Sequence, residues 1–490
     1  MIATMTHADR WALGWRLDAA RMWPGTRRTP LHARCRSPGE LIPWAPCRRQ
    51  GVLRLVHDSR TGRSARQDHW RGRGAACSVL AGALLLAQPR GRAPLKAEGQ
   101  GQQRHLTCRA AGGAASLGPE RHPVTGLPPG PYAVGVTTVQ LDDHSRSDPE
   151  GGPRCLQTEI WYPAGEESRQ LPPNLYSEFL ARGAVPGSIA LAEASDAIGG
   201  YREGLTIEEL DRTWQNLGRR DARILAPEPG SRWPVVIFSH GSGAFRASYV
   251  YFTEFLASQG FVVVACDHVG NSRYTILNGK VVKAGGPRSE NSQKDRPLDV
   301  VFLLDSLEKM NSGGDSRFAG RLDCSNCAVT GMSFGGWTAA VVAEMDDPRV
   351  KAAILHCPSL ARGVKGAKLP VLMMIGTQDT VVGAPNNEEC REYIRNAKGP
   401  RCLVEIKAGG HVTFTSCAQY NSEYGNGIGP SKSLTSPGEM YTPMPIEEAH
   451  AVINGYSLAF LDVYLRGKED QLEFLKVNHF KDDVLHEFSP

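Results

Sequence analysis

The strongest constraint on this chain is a series of short apolar runs that recur between helical stretches. Pro234–Ser239 (PVVIFS), Phe261–Cys266 (FVVVAC), Ala328–Gly331, Val350–Leu355 (VKAAIL), Pro370–Ile375 (PVLMMI) and Cys402–Ile406 each read as a strand. Most are apolar at successive rather than alternate positions. A strand of that kind must be covered on both faces, as in a parallel sheet between helices. The intervening segments supply the helices: Ser248–Gln259, Leu298–Met310, Phe334–Met345, Asn387–Asn396 and Ile446–Leu465. This alternation predicts an α/β domain with a doubly wound, mostly parallel sheet. Tyr132–Leu141 and Cys155–Tyr162 read as antiparallel leading strands. Between them and the series, 164–231 is a long interruption. It has helical stretches near Tyr176–Arg182 and Ile207–Asn216, the second capped by Thr206, and reads as a cap-like helical insertion.

One strand end runs into Gly331-Met-Ser333-Phe-Gly335-Gly336. In a chain with 53 glycines the Gly-x-Ser-x-Gly pattern alone says little; its place between a strand and a helix gives it meaning. A serine on so sharp a bend needs small neighbours, and a serine hydroxyl becomes nucleophilic only when a histidine takes its proton and an acid orients that histidine. Gly376-Thr-Gln-Asp379 leaves the end of Pro370–Ile375, and Ala408-Gly-Gly-His411 leaves the end of Cys402–Ile406. Ser333, Asp379 and His411 each lie just beyond a strand, in the order that α/β-hydrolases use. Upstream, Ser239-His-Gly-Ser-Gly243 follows the first buried strand. The N–H of Ser242, with that of Phe334, is placed to hold an oxyanion.

Each assignment has rivals. Asp267 competes as the acid, while His356 and His268 compete as the base. His240 reads as a loop-shaping residue, and Asp267-His268 as a structural pair at a strand end.

Four segments, PVVIFSHGSGAFRASY, LASQGFVVVACDH, RPLDVVFLLDSL and VTGMSFGG, together resemble the plasma and type II platelet-activating-factor acetylhydrolase family, with the dienelactone-hydrolase-like esterases as near relatives. The likeness runs over about Tyr132–Leu475. It implies an α/β-hydrolase fold, calcium-independent removal of short or oxidised sn-2 acyl chains from phospholipids, and no metal or organic cofactor. It carries Ser333 and His411 over as nucleophile and base, with Ser242 and Phe334 as oxyanion donors. Two positions depart from the family. Met332 stands where a histidine is common before the nucleophile. The animal enzymes place their acid after the strand matching Val350–Leu355, where this chain reads His356-Cys357-Pro358; Asp379 instead matches the dienelactone-hydrolase and cutinase-like arrangement. The expectation is therefore a serine carboxylester hydrolase acting on short sn-2 phospholipids, with a broad short-chain or polyester esterase as the alternative. A non-catalytic binding protein on the same fold is the rival from another class, and such proteins usually lack one of the three residues present here.

Charge divides the chain. Residues 1–110 hold 19 arginines, one lysine and six acids, a net of +14, so the overall +5 leaves −9 for the rest. Residues 1–125 read as an Arg-rich targeting or disordered leader before a hydrolase domain over 126–490. The apolar run Cys77–Ala87 in that leader has the length of a signal-peptide core, so plastid or secretory targeting is the expectation, with a cytoplasmic protein otherwise. An acidic body argues against nucleic acid as a partner. No apolar run is long enough for a transmembrane segment, while a lipid substrate leaves peripheral membrane contact open. Of the twelve cysteines, Cys324 and Cys327 form a lone C-x-x-C, a weak metal or redox signal. Cys402 and Cys417 bracket His411 and could be joined in an oxidising compartment.

Overall fold

The computed structural model describes residues 122–182, 204–213, 215–360 and 364–490. The expected leader lies outside them except for residues 122–125. Strands β1 (Ala133–Ser147) and β2 (Pro153–Ala164) pair antiparallel. Helices α1 (Tyr176–Ala181) and α2 (Ile207–Thr213) and the short β3 (Gly218–Arg220) follow. Next come β4 (Trp233–Ser239), α3 (Val250–Ser258), β5 (Val262–Cys266) and the hairpin of β6 (Tyr274–Leu277) and β7 (Lys280–Lys283). The series continues through α4 (Ser292–Lys309), β8 (Leu322–Met332), α5 (Phe334–Glu344), β9 (Val350–His356), β10 (Val371–Gly376), α6 (Gly383–Asn396) and β11 (Arg401–Ile406). A second hairpin of β12 (Ser431–Lys432) and β13 (Met440–Tyr441) precedes α7 (Ile446–Arg466), α8 (Asp470–Lys476) and β14 (Val484–Ser489).

Ten strands form one sheet in the order β14-β11-β10-β9-β8-β4-β5-β2-β1-β3. From β5 to β11 every neighbouring pair is parallel. The winding direction reverses between β4 and β8. In open α/β sheets the crevice at such a reversal, beyond the carboxyl ends of the strands, is where ligands bind.

The continuous apolar runs follow from the layering. On β4, Val236 and Phe238 join one core with α3 and α7, while Val235 and Ile237 join the other with α4, α5 and α6. On β10, Leu372 and Met374 take the first side, and Val371, Met373 and Ile375 the second. Both faces are thus buried, and neither tolerates polar alternation. This is the α/β-hydrolase fold expected from the sequence. Among the described residues no helix is long and apolar enough to cross a membrane.

Several boundaries differ from expectation. β8 begins at Leu322, so Cys324 and Cys327 lie within the strand, beside a register shift against β4. Helix α4 begins at Ser292 and holds Pro297 inside it, a residue that reads as a helix start. Within the described part of the 164–231 interruption, β3 adds a parallel edge to β1, and Tyr176 and Phe179 sink into the core. Thr206 does cap its helix, its hydroxyl accepting the Glu209 N–H at 3.1 Å. Among the described residues Cys402 and Cys417 are both free thiols and are not joined to each other. Cys402 sits on β11 beside His486, and Cys417 lies 3.0 Å from the Tyr420 hydroxyl.

Candidate active site

Ser333 occupies the single residue between β8 and α5, at φ 57° and ψ −119°. Positive φ in a residue with a Cβ costs on the order of 1–3 kcal/mol and persists only where the surroundings enforce it. They do so here through packing and hydrogen bonds. The Ser333 N–H donates to the His356 carbonyl at 2.9 Å, and its own carbonyl accepts from Trp337 and Ser359, both at 3.0 Å. A Cβ on Gly335 would meet the Ser239 carbonyl oxygen at 1.9 Å, and one on Gly331 the Gly335 oxygen at 2.3 Å. These two glycines let the start of α5 press onto the end of β4. Ser333 is 4 % exposed, and its hydroxyl makes no hydrogen bond among the described residues.

Asp379 follows β10 and is fully buried, while His411 opens a short turn after β11. The Asp379 Oδ1 accepts the N–H groups of Val381 at 3.0 Å and Val382 at 3.1 Å. Its Oδ2 lies 2.7 Å from His411 Nδ1. A carboxylate in that position takes the Nδ1 proton as a hydrogen bond, which leaves the Nε2 lone pair available. Asn426, not singled out from the sequence, locks the pair. Its Oδ1 accepts the N–H groups of His411 at 2.9 Å and Thr380 at 3.1 Å, and its Nδ2 donates to the Gln378 carbonyl at 2.8 Å. One side chain therefore ties the acid loop to the base loop.

The loop after β4 lies over Ser333: a Cβ on Gly241 would meet the Ser333 Cβ at 3.4 Å. Among the described residues neither the Ser242 nor the Phe334 N–H is engaged, and both residues are half-buried at the edge of the crevice. A buried network holds the loop from below. Arg296, on α4, donates to the Ser239 hydroxyl at 3.0 Å and to the His240 carbonyl and Asn271 Oδ1, and its guanidinium sits 4.6 Å over the Phe334 ring. Burial lowers its pKa to about 9.

The rivals fall into that network or beyond it. His240 Nε2 accepts the His268 N–H at 3.0 Å while Nδ1 meets the Gly241 carbonyl, and burial holds its pKa well below the usual histidine value. His268 bridges the Ser239 hydroxyl and Asp299, each at 2.9 Å, and burial drops its pKa to about 3. Ser239, His268 and Asp299 thus form a buried Ser-His-Asp chain of hydrogen bonds. It is sealed at 0–1 % exposure and has no access to a substrate. Asp267 is bound by Arg246, through its backbone N–H at 2.8 Å and its guanidinium at 2.7 Å, away from His411. His356 is buried between Phe252 and Phe414, and neither ring nitrogen is hydrogen-bonded among the described residues. Cys357, at φ 37°, joins the Asp379–His411 pair instead of a carboxylate from β9.

Comparison with known proteins adds to this geometry. Residues 219–293 match the family model of platelet-activating factor acetylhydrolase, isoform II. The chain is 26% identical over 266 residues to the platelet-activating factor acetylhydrolase of Cavia porcellus, covering 48% of this chain and 58% of that protein. It is 49% identical over 148 residues to that of Gallus gallus, covering 23% of this chain and 35% of that protein. The matched part is thus less than two thirds of either relative. A ferulic acid esterase from Streptomyces cinnamoneus shares the fold with a TM-score of 0.51 and 24% identity, over 75% of this chain and 99% of that one. By matched segment, relatives and architecture together, this chain is similar to the platelet-activating factor acetylhydrolases and is built as an α/β-hydrolase.

Proposed function

We propose that the protein is a serine carboxylester hydrolase. Ser333 attacks the ester carbonyl while His411 Nε2 takes its proton, and Asp379 holds the imidazole in that tautomer and stabilises its cation. The N–H groups of Ser242 and Phe334 receive the oxyanion; each such donor is worth about 2.7–4 kcal/mol in the transition state. His411 then returns the proton to the leaving alcohol, and water, activated by the same base, releases the acyl group. The observation that carries this reading is the 2.7 Å Asp379–His411 contact beyond the carboxyl ends of β10 and β11, in the same mostly parallel sheet whose strand β8 ends at a serine held at positive φ.

The substrate we infer is a phospholipid with a short sn-2 acyl chain. The similarity to the acetylhydrolases supports it, for the matched segment 219–293 includes the loop that covers Ser333. A broad short-chain esterase is the second reading, favoured because the histidine pairs with an acid after β10 and not after β9.

A fluorophosphonate probe should label the folded protein at Ser333. Ser333→Ala should abolish labelling and lower kcat/KM by at least about 10⁴-fold. Labelling that persists in the variant removes Ser333 from the mechanism. A panel of p-nitrophenyl esters beside short- and long-chain sn-2 phospholipids separates the two substrate readings: preference for short-chain phospholipids supports the first, indifference to the headgroup the second.

A further inference from the structure

Cys357 has no part in the proposed reaction, yet it lies against its centre. One ligand atom each from Cys357, Asp379 and His411 lie within 4.8 Å of one another, and all three residues are buried. We propose that these three side chains form an inhibitory site for a thiophilic divalent cation, Zn²⁺ in the first instance. The donor set is a thiol, a carboxylate and an imidazole, which suits zinc; magnesium and calcium prefer oxygen alone. Three protein ligands with the fourth position left to water is a common zinc arrangement.

Charge favours the occupied state. A thiolate and a carboxylate balance the two positive charges of the ion, so the buried site becomes neutral. Without metal the thiol stays protonated, since burial and then the Asp379 charge push its pKa well above the usual cysteine value. The exchange is balanced: Zn²⁺ displaces the thiol proton to solvent and binds the sulfur. It also takes the His411 nitrogen facing Asp379, and the proton from that nitrogen passes to Nε2. Tetrahedral ligands at zinc distances sit about 3.3 Å apart, so the 2.7 Å Asp379–His411 contact must open slightly to admit the ion.

Inhibition follows from the tautomer. With the metal on Nδ1 and a proton on Nε2, the imidazole has no lone pair to offer Ser333. This consequence rests on the serine-hydrolase reading; the metal site itself does not.

The test uses the full chain. Co²⁺ should bind with a thiolate-to-cobalt charge-transfer band in the parent and in Ser333→Ala, and the band should be lost in Cys357→Ala. In parallel, free Zn²⁺ should inhibit p-nitrophenyl acetate hydrolysis reversibly, with EDTA restoring the rate and Mg²⁺ or Ca²⁺ without effect. Cys357→Ala, measured against its own metal-free rate, should need at least about tenfold more Zn²⁺ for half-inhibition. Cys357→Ser, which keeps a polar group beside Asp379, provides a second variant if the alanine protein does not fold. A parent without the cobalt band, or a folded Cys357 variant that keeps it, overturns the site. A cobalt band that depends on Cys357 in a protein that hydrolyses no ester leaves the site standing and removes the enzyme reading instead.

Discussion

Two fully buried aspartates, Asp267 and Asp379, look alike in sequence but have opposite partners. Asp267 faces the Arg246 guanidinium, which Asp267 and Glu159 keep charged against its burial, whereas Asp379 faces the His411 imidazole. Asp379→Asn should therefore lower kcat by about 10⁴-fold with little change in Tm, as expected when an orienting acid is lost. Asp267→Asn leaves Arg246 short of a buried partner and should cost about 3–5 kcal/mol of stability, with kcat largely retained in the folded fraction. Thermal melts beside turnover decide this; a folded Asp267→Asn protein without activity contradicts the assignment. Ser333, Asp379 and His411 were legible because each follows an apolar run that ends in glycine or leads into it. Asn426 and Arg296 were not, since their partners are distant in sequence and neither sits at a strand end. Cys357 was read for the carboxylate it lacks, and the thiol it brings to Asp379 emerged only in three dimensions.

The strands of the central series were legible because burial on both faces leaves a dense apolar signature. The edges left none. β14 runs from the buried Val484 through exposed and half-buried residues to Ser489, and β1, legible up to Leu141, runs on through the polar Asp142–Ser147 past a register shift. β3 is held in place by helix α3, whose buried Glu254 accepts the N–H groups of Leu217 at 2.6 Å and Gly218 at 3.0 Å. Burial raises its pKa to about 7 from an ordinary 4.5. The folded protein thus holds a proton that the unfolded chain releases. Stability from this group is complete below about pH 4.5 and is lost as pH rises through 7. Melting temperatures at pH 5 and pH 8 should show the parent losing more on the alkaline side than Glu254→Gln; equal losses would remove Glu254 as the cause.

Every strand on one side of the β4–β8 contact precedes residue 267, and every strand on the other begins at or after Leu322. The exposed link at Ser312–Gly314 joins the two sides. Cleaved between Gly313 and Gly314, the protein becomes two fragments, one carrying Ser242 and the other carrying Ser333, Asp379 and His411. Neither should hydrolyse an ester alone, and mixing them should restore turnover at a rate that depends on both concentrations. A protein whose crevice lies along such a join can be run as a split reporter, silent until its halves meet.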